Sequence, residues 1–192
     1  MELYVFGSTR ELAGVVESFE YLRWTRRYTQ CGSFELKAPA TSGNVALLTL
    51  GNYLLKHSDE EAGIIEYVNL DESDVETITV GGRFALSLLA RRIIWGTETL
   101  SGGLSACVGQ LIQNHIISPT DVNRQILFII YIDESITDAV STQVSYKNLM
   151  DAVIDLCDAA DTGIKAAFDP AAGTFTIRIY KGEDSPTVFS SE

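Results

Sequence analysis

The stretch WTRRYTQCGSFEL, residues 24–36, constrains the fold more than any other part of the chain. Before its glycine, Leu22, Trp24 and Tyr28 fall on one side of an extended backbone, with Thr25 and Arg27 on the other. Beyond it, Phe34, Glu35 and Leu36 alternate in the same way. A period of two carried by aromatic and β-branched residues fits strands and not a helix. Two strands joined through residues 30–33 follow, with Trp24 and Phe34 as core anchors of a small sheet. Arg26 shares the face of Trp24. It must sit at the strand end, extend its head to water, or meet a carboxylate such as Glu35 across the turn.

The same reading extends along the chain. Residues 3–6 and 13–17 flank a loop at 7–10 and predict a hairpin. Residues 44–50 suit a short helix and 53–57 a strand, while Glu60 and Glu61 read as a solvated corner. Residues 63–70 and 75–81 form a further hairpin around the acidic loop 71–74, with Tyr67 as a third core anchor. Residues 84–89 suit a helical turn and 91–95 a strand. The chain up to residue 98 is thus a compact, mostly antiparallel β domain.

Its character changes at TETLSGG, residues 97–103. Ser101 is placed to cap a helix whose apolar stripe is Leu104, Cys107, Val108, Leu111, Ile112 and His115. Residues 125–132 are nearly all apolar, the pattern of a strand buried on both faces. A second helix starts at Ser145 and runs to Ala160, with Gly163 in the left-handed position after it. Residues 164–168 and 174–180 then pair as a hairpin. Residues 99–182 therefore make an α+β unit of helix, strand, helix and hairpin, and 183–192 a polar, loose tail.

Composition narrows the function classes. With 46% hydrophobic and 21% charged residues among 192, the chain builds a real core. A net charge of −12 argues against a nucleic-acid groove binder or a polybasic membrane binder. It suits a wall past which phosphates slide without sticking. Cys31, Cys107 and Cys157 have no paired spacing and suggest either a reducing compartment or simple core thiols. No apolar run reaches membrane-spanning length, and the first residues lack a signal-peptide core. Synthesis in a cytoplasm, without a membrane anchor, is expected.

Catalytic patterns are weak. His57 lies beside a run of acids but has no second histidine, no HExxH and no cysteine pair nearby. His115 belongs to the apolar helix stripe. Ser105 lacks the G-x-S-x-G frame, and no phosphate-loop lysine follows Gly81 and Gly82. Asp155, Asp158 and Asp161 fall on a helix, not in a calcium loop. No catalytic residue, cofactor or metal ligand is assigned.

Several segments together resemble a known family: MELYVF at 1–6, WTRRY-x3-GSFEL at 24–36, EAGIIEY at 61–67, GRF-x6-RRIIW spanning 82–95, and QVSYKNLMD at 143–151. In collinear order they resemble the tail-protein family typified by siphovirus ReqiPepy, common in prophages of Gram-positive bacteria. More distantly, residues 100–182 look like the hubs of phage tails, contractile baseplates and type VI secretion spikes. The resemblance implies a barrel-like N-terminal domain and a homotrimeric ring at the tip of the virion tail. That ring would join the tail tube or distal tail protein to more distal parts, with DNA passing through the lumen unbound. Isolated copies would be monomeric. Family members usually continue past the end of this chain, which makes it a short member or an N-terminal fragment.

Two arginine pairs stand beside aromatics in this acidic chain: Arg26–Arg27 near Trp24, and Arg91–Arg92 near Trp95. Intrachain pairing with Glu17, Glu20, Glu35 or Glu66 is one reading. The sharper one makes Arg26, Arg27, Glu35, Arg91, Arg92 and Trp95 a subunit interface, since arginine and tryptophan are favoured in interface cores. An adaptor or carbohydrate-binding module is the alternative function, and it would expose Trp24 and Trp95. A hydrolase is a third and would need a pocket where histidine and carboxylate converge.

Overall fold

Short alternating runs set the N-terminal strands. The structure, a computed structural model, describes residues 1–71 and 76–182. β1 (Leu3–Phe6) and β2 (Leu12–Val16) form the first hairpin, and β3 (Tyr21–Thr25) and β4 (Ser33–Pro39) the second. The short helix α1 (Ser42–Leu47) is capped by Thr41, whose hydroxyl accepts the Asn44 N–H at 3.2 Å. β5 (Tyr53–Lys56), β6 (Ala62–Ile64), β7 (Tyr67–Asp71) and β8 (Thr77–Arg83) follow, and a 3-10 helix covers Ala85–Arg91. Two four-stranded sheets result, ordered β2-β1-β5-β6 and β3-β4-β8-β7.

The second half adds β9 (Thr97–Gly103), then α2 (Leu104–Ile112), which winds on as a π-type turn over Gln113–Ile117. β10 (Ile129–Tyr131), β11 (Ala139–Ser145), α3 (Leu149–Ala159), β12 (Gly163–Asp169) and β13 (Thr174–Tyr180) complete it. β10-β13-β12 is a three-stranded sheet in which β10 and β13 run parallel; β9 and β11 pair alone.

Strand alternation makes the β1–β5 sheet the central layer. Leu3, Val5 and Leu54 face Phe34, Leu36, Ile78 and Val80 of the second sheet in one apolar cluster. Phe6, Tyr53 and Leu55, on the other face, join a larger cluster with Leu104, Val108, Val153, Phe168 and Phe175. That cluster takes side chains from both sides of residue 98.

The structure corrects several expectations. The chain is α+β, but no closed barrel is present: the sheets are open. β2 and β3 follow one another in sequence yet are edges of different sheets, and neither pairs with the other. The strand expected over 63–70 splits at Ile65 and Glu66 into β6 and β7, which also belong to different sheets. β3 ends at Thr25, so Tyr28 lies outside it. Residues 91–95 form no strand, and TETLSGG forms β9, whose last residue, Gly103, is the N-cap of α2 in place of Ser101. The apolar run 125–132 yields only β10, an edge strand, with Leu127 82% exposed. Asn148, not Ser145, caps α3, accepting the Met150 N–H at 2.9 Å. Asp161, not Gly163, takes the left-handed backbone after α3. Apart from Asp71, the acidic loop lies outside the described residues, as do Val75 and the tail beyond Gly182.

Candidate assembly surfaces

Three consecutive acids between β5 and β6 tie the layers together. Asp59 accepts the Trp24 indole N–H at 3.0 Å and the backbone N–H groups of Glu60 and Glu61 at 2.8 and 3.1 Å. Glu60 holds Lys165, and it holds Arg178 at 2.6 Å; its carbonyl accepts the Phe168 N–H at 2.7 Å. Glu61, only 5% exposed, accepts Arg26 Nε at 2.9 Å. Burial works against the charge on Glu60, but Lys165 and Arg178 together hold its carboxyl below the usual range. Burial pushes Glu61 up, and Arg26 only partly offsets it. The solvated corner expected here is a junction: it pins the β3–β4 turn region to β12 and β13.

This junction settles where the aromatics near it go. Trp24 is half-buried, its ring 5.7 Å from Phe34 and 4.7 Å from Phe84. Phe34 is buried. Tyr67 is a surface residue, 43% exposed, because β7 is an edge strand. Its hydroxyl donates to Glu35 at 2.9 Å, as does that of Tyr21 at 2.7 Å. Arg26 and Glu35 are therefore engaged within the chain, with acids and hydroxyls that sequence spacing did not single out.

A second surface gathers around the 3-10 helix and the start of β9. Arg92 Nε donates to the Arg124 carbonyl at 2.7 Å, and Arg124 Nη2 to the Ile93 carbonyl at 2.6 Å. Burial, then the charges of Arg124 and Arg91, push Arg92 below its ordinary value. Among the described residues, no carboxylate forms an ion pair with Arg27, Arg91, Arg92 or Arg124. Beside Arg124, Trp95 is 77% exposed, its ring 5.9 Å from Tyr146 at an interplanar angle of 81°. Tyr146 has φ 48°, a left-handed backbone that is uncommon for a bulky residue and often marks a functional position. Its N–H donates to Gly96, itself at φ +96°. Arg124 and Tyr146 were missed from sequence: Arg124 is a lone arginine and not one of a pair, and Tyr146 reaches Trp95 only through the β9–β11 ladder.

His57 and His115 lie apart, and of the two His115 meets a carboxylate, that of Glu98, in the cleft lined also by Trp95, Ser118 and Arg124. His57 Nδ1 lies 3.4 Å from the Tyr4 hydroxyl at the surface. His115 is buried, with Nε2 at 2.9 Å from Glu98, whose carboxylate also accepts Asn114. Ser105 is buried and its hydroxyl accepts the Ile136 N–H at 2.9 Å. Among the described residues no group of three or more His, Cys, Asp or Glu is arranged to hold a metal. No described helix is long and apolar enough to cross a membrane.

With this geometry in hand, the fold has recognisable relatives. A prophage tail protein of Listeria monocytogenes superposes with a TM-score of 0.61 at 14% identity, over 92% of this chain and 50% of that one. A tail protein of Neisseria meningitidis gives 0.55 at 13% identity, over 91% and 50%. A chain of the Francisella PdpA–VgrG complex gives 0.53 at 12%, over 100% and 30%. The chain thus spans about half the length of the tail proteins it matches. No curated protein sequence matches it significantly. The family model described as siphovirus ReqiPepy6 Gp37-like protein matches residues 2–192. The chain belongs to that family of phage tail proteins.

Proposed function

We propose that the protein is a ring-forming hub of a phage or prophage tail tip, a homotrimer that joins the tail tube or distal tail protein to more distal parts. What carries the structural role is the tail-protein fold, matched over more than nine-tenths of the chain. As a member of a structural tail family it is not an enzyme. In this reading it works by shape and self-association in the virion tail after synthesis in the host cytoplasm. DNA passes its acidic wall without specific contact, and isolated copies stay monomeric until the tube templates them.

The arginine and tryptophan patch is the surface we assign to the contact between copies. Arg91, Arg92 and Trp95 remain in that assignment, with Arg124 and Tyr146 added, and Arg27, on the β3–β4 turn, remains in it as a separate position. Arg91→Glu, at an exposed position without an ion pair, tests it: the variant folds but fails to join the ring, and normal assembly would remove the patch from the interface. The exposure of Trp95 also favours a second reading, a sugar-binding adaptor. In that case Trp95 would stack on a sugar ring above the shallow cleft that it lines with Asn114, Asp121 and Arg124. A glycan that protects Trp95 from quenching while Arg91→Glu assembles normally would select that reading.

A further inference from the structure

Among the described residues β11 pairs with β9 on one side only, and its other edge borders a cleft of about 540 Å³ whose far wall is α3. The ladder fixes which backbone groups face that cleft. The Leu104 N–H donates to the Asp138 carbonyl at 2.9 Å and the Tyr146 N–H to Gly96 at 3.2 Å, at the two ends of the same register. Bonded pairs alternate in an antiparallel ladder, so residues 140, 142 and 144 bond to β9. Ala139, Ser141, Gln143 and Ser145 therefore turn their N–H and C=O groups away from it, toward the cleft.

An open edge of this kind is normally guarded by charged side chains, proline or a bulge. Those four residues carry no charge, and the β9–β11 register runs without a shift. The far wall is apolar and low: Ala152, Leu156 and Ala159 of α3 line it, with Ala160 just past the helix end. The charged groups at the rim are already paired, Asp155 with Lys147 and Asp138 with Lys181. Donor and acceptor pairs at every second residue, about 7 Å apart, match an extended backbone and not a helix. A neutral rim over an alanine-lined wall matches small apolar side chains.

We propose that this cleft receives an extended, uncharged strand of another protein, which adds to β11 and lays its apolar side chains on α3. The site stands on the cleft alone and goes beyond the hub reading, so a hub that proved monomeric would leave it intact. The test is a titration of the ¹⁵N-labelled chain with a capped peptide of alternating valine and threonine, as long as the seven residues of β11. Saturable amide shifts and slowed exchange are expected at Ala139, Ser141, Gln143 and Ser145. N-methylating alternate peptide amides weakens binding roughly tenfold or more, and so does Ala159→Glu, at an exposed position that folding tolerates. Two results overturn the proposal: a folded chain that shows no shifts, or shifts elsewhere. Protection of the same four amides that rises with protein concentration, without peptide, would assign the edge to a second copy and overturn the proposed occupant.

Discussion

Trp24 donates its indole N–H into the acid junction and packs at a tilt against Phe34 and Phe84, whereas Trp95 stands in solvent beside Tyr146. Emission from the native chain is therefore a sum of two populations. Trp95→Phe is expected to leave a blue-shifted, acrylamide-resistant spectrum, and unchanged quenching would contradict the placement of Trp95. The junction acids also predict opposite pH behaviour. Glu60 is held below its usual value, so its stabilisation is complete above about pH 4.5 and is lost as pH falls through the lower folded value. Glu61 is raised, so its favourable contribution belongs to the protonated form and is lost as pH rises through the folded value. In urea unfolding at a series of pH values, the deficit of Glu60→Gln relative to the wild type should shrink on acidification. The difference for Glu61→Gln should move the other way.

At the scale of elements, local period carried far. Alternation read β1 with β2, β4, β5 and the β12–β13 hairpin, and the stripe from Leu104 to His115 is buried as expected along α2 and its extension. What it could not read depends on distant partners. β9 and β11 lie some forty residues apart, and only Leu100 and Val144 in them are buried, so neither shows an apolar alternation. The split of β6 from β7 depends on packing as well. Gly82 on β8 passes so close that an added Cβ would lie 2.0 Å from the Ile64 carbonyl oxygen. Gly82→Ala must push one backbone off the other. It is expected to cost at the upper end of the range of about 1–3 kcal/mol typical of overpacking, measured by chemical unfolding. A cost near zero would mean that the sheets do not meet there. The residues proposed for the interface were legible only in part: arginine beside tryptophan could be seen in sequence, but not that Arg26 would be taken up by Glu61.

Across the whole molecule, the central sheet is covered on both faces, and the larger cluster runs from Phe6 and Tyr53 to Phe168 and Phe175. The division at residue 98 is then expected to mark a change of secondary structure within one cooperative unit. Thermal unfolding followed by tryptophan emission and by far-UV dichroism should give one shared midpoint, and Phe168→Ala, at a stability cost of about 3–5 kcal/mol, should lower it equally in both signals. Two separated midpoints would restore independent domains. The claim on which the account turns is that this chain acts by assembling. Light scattering on the purified protein, alone and mixed with the tail-tube protein of the same phage, measures it directly. The account predicts a monomer alone and a ring of three copies on the tube. A chain that remains a single copy in both samples, or that does not bind the tube, would contradict it.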